Sequence, residues 1–226
     1  MDSSDICLIT IDGGAASGKT STARCLAKQL DGLYVDTGAH YRAVSSLLLQ
    51  EGLKPDQPEA IARRLKAVAI SAVVMGRQLC VQLNGHRISR AALRCADVTA
   101  HVSAYAALPE IRQGLLAYQR SLAAFAAEQG FNTLIIEGRD VGSVIFPQAA
   151  YKFFLEADSR IRVQRRSQEG FADAVQDRDQ QDSRRRAAPL TCPEGAVRIN
   201  TGLVTLEAVV ANICRIIRQA PHAPRA

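Results

Sequence analysis

The stretch "ITIDGGAASGKTST", Ile9 to Thr22, sets two glycines, two alanines, a serine and a third glycine directly before Lys19. Residues this small add little to a core, so their use lies in what the backbone can do. Gly13-Gly14-Ala15-Ala16-Ser17-Gly18-Lys19-Thr20 satisfies GxxxxGK[ST] at every fixed position. It lies between the β-branched apolar run ICLITID (6–12) and a helical pattern through Ala23, Leu26, Ala27 and Leu30. The glycines let the chain curl so that successive N–H groups face one anion, and the dipole of the following helix adds positive potential. Read this way, the loop from Gly13 through Ser21 wraps around a nucleotide's phosphates. Lys19 reaches the β- and γ-phosphates, and Thr20 offers its hydroxyl to a magnesium ion.

Working outward, a second short strand LYVD (33–36) leads into a helix through "TGAHYRAVSSLLLQEGL". This strand–helix–strand–helix rhythm predicts an α/β fold with a parallel sheet and crossover helices. The rhythm breaks after Gly52. "KPDQPEAIARRLKAVAI" reads as a loop and a short helix, and "SAVVMGRQLCVQLNGHRIS" as short strands turning at Gly76–Arg77 and Asn84–Gly85. Sheet-like text between α/β halves predicts a small inserted unit over residues 54–100. Two helices follow, ending near Gln129, and then buried strands TLIIE (133–137) and YKFFLEA (151–157). A basic helix in "SRIRVQRRSQEG", a strand VRIN (197–200) and an amphipathic helix from Thr205 to Arg218 complete the pattern. The tail "APHAPRA" is expected to fray.

Composition narrows the class. Hydrophobic residues are 47% and charged residues 22% of 226, as in an ordinary soluble globular chain. No apolar run approaches the roughly 20 residues of a membrane-spanning helix. The N-terminal segment has no basic region and does not read as an export signal. Cys7, Cys25, Cys80, Cys95, Cys192 and Cys214 are scattered without a CxxC pair, which fits reduced thiols in a cytoplasmic protein without a structural metal. The net charge of +6 points to acidic partners. Of the 28 basic residues only five are lysine, and eight arginines fall between Arg160 and Arg186. Compositional bias explains a high arginine count as well as function does; the clustering is the more telling feature. A guanidinium fork matches phosphate oxygens two at a time.

A phosphate loop identifies a donor, not a reaction. A GTPase needs switch regions and an NKxD-type segment, and neither is found; a motor or transporter is usually larger. A kinase of small molecules fits better, and needs a second set of cations aimed at an acceptor and a mobile cover.

Further segments sharpen this. "DTGAHYRAV" (36–44), "EGRDVGSVIFP" (137–147), "KFFLEADSRIRVQRR" (152–166) and "RDQQDSRRRAAPL" (178–190) follow the loop in that order. Together they closely resemble the bacterial cytidylate kinases, from about Leu8 to Ile217, with the insert least specific. The resemblance implies a P-loop three-layer fold with a core of residues 1–53 and 101–226, an inserted monophosphate-binding domain at 54–100 and a short basic lid at about 160–188. It implies transfer of the γ-phosphoryl group of ATP, with magnesium, to CMP or dCMP, in a cytoplasmic monomer without nucleic-acid or membrane partners.

Residue by residue, the resemblance puts Arg42 and Arg139 on the acceptor's phosphate, with Thr37 beside them. Aligned through Pro109, Ser103 and Arg112 meet the cytosine edge, and Asp140 completes that set. A carboxylate accepting from the exocyclic amino group gives a physical reason to prefer cytosine over uracil. Arg178 and Asp182 correspond to ribose contacts and Arg185 to a phosphate contact from the lid. Arg162, Arg165 and Arg166 face the ATP phosphates or the transferring group. Lys19, Arg139, Arg162 and Arg185 are the catalytic set. Glu137 ends its strand where many P-loop enzymes place a magnesium-side carboxylate; a helix cap or core-edge acid explains it equally well. His40, where the family usually has Met or Ile, reads as a packing residue, because the nucleophile is already a phosphate oxygen. Asn200 stands where an aspartate is common, leaving ATP against GTP open.

Three rivals remain at this stage. Another acceptor, such as UMP, AMP or a different phosphorylated small molecule, is opposed only by Ser103, Arg112 and Asp140. A nucleic-acid-binding protein could use the basic 160–186 face, but no aromatics interleave with that cluster to stack bases. A nucleotide-binding protein without turnover would have lost an acceptor-side arginine, yet Arg42, Arg139 and Arg185 are all present.

Overall fold

The computed structural model describes residues 6–168, 175–183, 185 and 188–219, without the side chains of 175–178. Strand β1 (Cys7–Gly13) is apolar on both faces because it lies at the centre of a sheet covered on both sides. It pairs in parallel with β6 (Thr133–Gly138) and β7 (Tyr151–Glu156); β2 (Leu33–Asp36) lies outside β6, and β8 (Val197–Asn200) outside β7. The register Asp12↔Gly138, Asp36↔Glu137 and Gly13↔Leu155 brings the carboxyl ends of these strands to one edge. Ligands of open parallel sheets collect at such an edge.

Alternate β1 side chains sort to opposite layers. Ile9 and Ile11 pack with Ala23 and Leu26 of α1 (Lys19–Gln29) and Val210 and Ile213 of α9 (Leu206–Gln219). Ile6 and Leu8 face the other way, with Leu122 and Ala126 of α6 (Pro109–Glu128). A third cluster joins α2 (Thr37–Gln50), α3 (Pro58–Lys66), α5 (Ala96–Tyr105) and α6 through Val44, Leu48, Ile61, Tyr105 and Ile111. Asp36 caps α2 by accepting the Ala39 N–H at 3.2 Å.

The expected hairpins form in β3 (Ile70–Met75), β4 (Gln78–Leu83) and β5 (His86–Arg87). Asn84 and Gly85 both take positive φ, 51° and 77°, as a tight two-residue hairpin turn requires. The hairpin does not stand apart from the core. Tyr34 of β2 pairs with Gln78 of β4, so the central sheet runs to eight strands in the order β3-β4-β2-β6-β1-β7-β8, with β5 on β4. A short α4 (Arg90–Leu93) precedes α5, and a boundary at residue 100 falls inside α5.

Among the described residues three elements have no counterpart in the sequence reading: the short α4, a π-helical turn at Val141–Ile145 and α8 (Val175–Ser183), which packs against α7 (Ser159–Gln168). The expected frayed tail, the N-terminal residues 1–5 and parts of the expected lid (169–174, 184, 186 and 187) lie outside the described residues. Among the described residues no helix is long and apolar enough to cross a membrane.

Candidate active site

The glycine loop turns at Ala16 (φ 56°) and Gly18 (φ 90°), and helix α1 begins at Lys19. The Lys19 ammonium folds back over the loop, donating to the Gly14 carbonyl at 2.6 Å and to Ser17 Oγ at 3.4 Å. Burial, and then the nearby Arg139 guanidinium, pushes Lys19 down to about 7, despite the opposing pull of Glu137, Asp179 and Asp12. An anion brought close to such a lysine favours its charged form.

An anionic group already touches the loop. The Ala15 N–H donates to Asp179 Oδ1 at 2.7 Å, and Arg162 pairs with the same carboxylate. Arg162 also donates to the Ala15 carbonyl at 3.2 Å and to that of Ala157 at 3.0 Å. Asp179 belongs to the RD…D…R series yet has no role in the sequence reading. Only the fold shows that it reaches the loop.

Beside the loop lies a cavity of about 440 Å³. Lys19 and Thr20 line its donor side; Thr37, Arg42, Ser103, Arg139, Asp140, Asp182 and Arg185 line the other. Seven of the positions expected from the sequence to hold the acceptor therefore share one wall system. Arg42 is anchored to the Leu93 carbonyl and Thr99 Oγ1, both at 3.1 Å. Thr37 opens α2 and donates to the Glu137 carbonyl at 2.8 Å. Asp182 bridges two arginines: Arg139 Nε donates to Oδ2 at 2.8 Å, and Arg185 pairs with Oδ1. Arg185 Nε is buried and has no hydrogen-bond partner among the described residues.

Arg112 sits differently from the sequence reading, and Arg165 and Arg166 line separate cavities. Arg112 is not part of the cavity lining; it stands behind Asp140, paired to it, donating to the Ala106 carbonyl at 2.9 Å and lying over the Tyr41 ring. Its length lets it hold the carboxylate from the protein side. Arg166, expected with Arg162 and Arg165 to face the ATP phosphates or the transferring group, lines the same cavity as Lys19 and Thr20. Arg165 instead lines a second cavity of about 330 Å³ with Ala16, Gly18, Ser21, Thr201 and Leu206, and donates to the Thr201 carbonyl at 2.7 Å. Neighbouring side chains on a helix diverge by about 100°, which separates the two arginines. The side chain of Arg178 lies outside the described residues.

Glu137 lies beside Thr20 at the cavity wall. Its Oε1 accepts from Thr20 Oγ1 at 2.6 Å and from the Tyr34 hydroxyl at 2.7 Å, and both Thr20 and Glu137 line the cavity. Burial, and then Asp36, raises its carboxyl above the usual range. A divalent cation would relieve that penalty, and a hydroxyl beside a carboxylate is the hard oxygen set that magnesium takes, with phosphates and water filling the rest. The residues present fit the ion. His40 is a packing residue, as expected: it is 1% exposed, lies edge-on to Tyr118 with centroids 5.1 Å apart, and burial pushes it down to about 4.

The cavity also draws in residues that sequence reasoning did not select: Arg24, Arg90 and Arg94. No motif marks them, since each sits in an ordinary solvated pattern.

A glycine loop on a helix N-terminus, a hydroxyl–carboxylate pair beside it and a facing wall of arginines define a P-loop phosphate site at the carboxyl edge of the sheet. The pattern of the cytidylate kinase family matches residues 9–219, and the chain belongs to that family. The bifunctional pantoate ligase/cytidylate kinase of Synechococcus elongatus is 40% identical over 93% of this chain. The chain spans 42% of the length of that relative. The cytidylate kinases of Nocardia farcinica and Mycolicibacterium paratuberculosis are each 34% identical, over 94% and 99% of this chain and 94% and 100% of their own.

Proposed function

We propose that the protein transfers the γ-phosphoryl group of ATP to CMP or dCMP, giving the diphosphate. One observation carries this: a single cavity joins Lys19 and Thr20 to Ser103, Arg139, Asp140 and Arg185. Donor and acceptor phosphates can therefore meet inside one enclosure.

The chemistry asks mainly for positioning and charge neutralisation. An oxygen of the acceptor's phosphate attacks the γ-phosphorus; a new P–O bond forms as the β–γ bridging bond breaks and ADP leaves. The loop amides and Lys19 hold the β- and γ-phosphates, which take over the Ala15 N–H from Asp179. Arg42, Arg139 and Arg185 hold the acceptor phosphate. When it binds, Asp182 is released from the two arginines and can accept from the ribose. Arg162 and Arg166 flank the transferring group, with Arg165 on the donor side. Thr20 and Glu137 would hold magnesium, which supplies charge neutralisation at the phosphates. The cytosine amino group donates to Asp140, whose carboxyl burial raises above the usual range while the paired Arg112 pulls it back toward the charged form. Ser103 lies on the same wall. Residues 54–100 carry the acceptor-side cover, and cysteines outside any disulfide are compatible with a reducing cytoplasm.

The test is ADP release from ATP and magnesium with CMP, dCMP, UMP and AMP side by side. CMP or dCMP should lead. Preference for UMP or AMP reassigns the acceptor, and no acceptor-dependent release rejects the transferase.

A further inference from the structure

Asp12 is the one carboxylate of β1, next to its last residue, and it is 0% exposed. Its two oxygens serve two consecutive amides across the sheet edge: Oδ1 accepts from Val141 N at 2.8 Å, and Oδ2 from Gly142 N at 2.7 Å. Those amides open the π-helical turn directly after Arg139 and Asp140. The turn is locked from its other end as well, since the Asp140 carbonyl accepts from Val144 N at 2.9 Å. From the next residue of β1, the Gly13 carbonyl accepts from Arg139 Nη1 at 3.0 Å. The approach is close: a Cβ on Gly142 would meet Thr10 Oγ1 at 2.7 Å and Asp12 Oδ2 at 3.1 Å.

We infer that Asp12 is a positioning residue for the acceptor, setting Arg139 and Asp140 at a defined place relative to the phosphate loop. It touches neither nucleotide in the arrangement proposed above, on which this role rests. A side chain built only to end a strand needs one acceptor; two consecutive N–H groups need two, and a carboxylate supplies both without a competing donor. Asparagine would keep one oxygen and turn an amide donor toward the other N–H. Since the peptide after Asp140 is held by Asp12, freeing it lets the Asp140 carboxylate and the Arg139 guanidinium drift from the acceptor. The phosphate loop itself is held by other contacts.

The experiment compares the unmodified protein with Asp12→Asn and Gly142→Ala in steady-state kinetics at neutral pH, with hydrogen exchange of the 139–146 segment. In Asp12→Asn, KM for CMP should rise about tenfold or more, as for a misplaced binding group, while KM for ATP stays within about twofold. The Val141 and Gly142 amides should lose protection. Gly142→Ala, which pushes the same turn without altering the carboxylate, should show the same split and serves if Asp12→Asn does not fold. Unchanged KM for CMP, or equal losses for both nucleotides, would overturn the role while leaving the transferase intact. Absence of CMP-dependent turnover in the unmodified protein would instead overturn the acceptor assignment, and this role with it.

Discussion

The carboxylate of Asp179, on the helix that follows the basic segment, accepts the main-chain N–H of Ala15 at 2.7 Å. An acidic side chain thus occupies a donor that the glycine loop otherwise turns toward phosphate, and Arg162 is paired to it. Donor phosphates and Asp179 compete for the same amide. Asp179→Asn should therefore bind ADP and ATP more tightly, by roughly tenfold if the occupied form is the dominant one. Titration calorimetry without acceptor reads this directly, and weaker binding would show that Asp179 supports the loop rather than blocking it.

Arg139 and Arg185 converge on Asp182, and Arg139 reaches the loop only at the carbonyl of its first residue, Gly13. Removing either should leave ATP affinity nearly intact while turnover falls about 100-fold or more, as for lost charge stabilisation of a transferring phosphoryl group. Unchanged turnover in Arg139→Ala and Arg185→Ala would remove both from the mechanism.

Asp140 is nine-tenths or more buried and paired with Arg112, which fixes it as a hydrogen-bond acceptor. Asp140→Asn offers a donor in its place, which suits the uracil oxygen better than the cytosine amino group. The ratio of kcat/KM for CMP over UMP should fall by about tenfold or more, since an unpaired polar group in a buried site is penalised. An unchanged ratio would move base recognition elsewhere.

Burial, and then the Arg139 guanidinium, pushes Lys19 down to about 7. A bound polyphosphate favours the ammonium form, so its proton affinity rises on binding. Near and above neutral pH, binding of ADP should take up a proton, seen as a dependence of the calorimetric enthalpy on buffer ionisation. Lys19→Met should lose that uptake.

His40 is buried neutral and held down to about 4, below its ordinary value near 6.5. Between those values the unfolded chain binds a proton that the folded one refuses. Stability contributed by keeping His40 neutral is therefore present above about 6.5 and lost as pH falls toward 4, each tenfold in proton affinity being worth about 1.4 kcal/mol. Asp12, pushed up to about 6 by burial, acts in the opposite sense from its ordinary value near 3.8 upward. Relative to the unmodified protein, His40→Met should melt with a smaller loss of midpoint between pH 6.5 and 4.

The sequence by itself determined the strands, their parallel rhythm and the phosphate loop. Those features are written in short-range pattern: alternate residues, glycine spacing and the Lys-Thr pair lie within a few positions of one another. The hairpins after Gly52 were legible for the same reason, since Asn84–Gly85 is a local signal. Only the tertiary structure joined that hairpin to β2, divided Arg165 from Arg166, put Arg112 behind Asp140 and brought Glu137 onto Thr20. The Asp12–Gly142 contact spans 130 positions and the Ala15–Asp179 contact 164. Such contacts leave no periodicity to read, because they are set by which strand ends the sheet places side by side and by the depth at which a charge is buried.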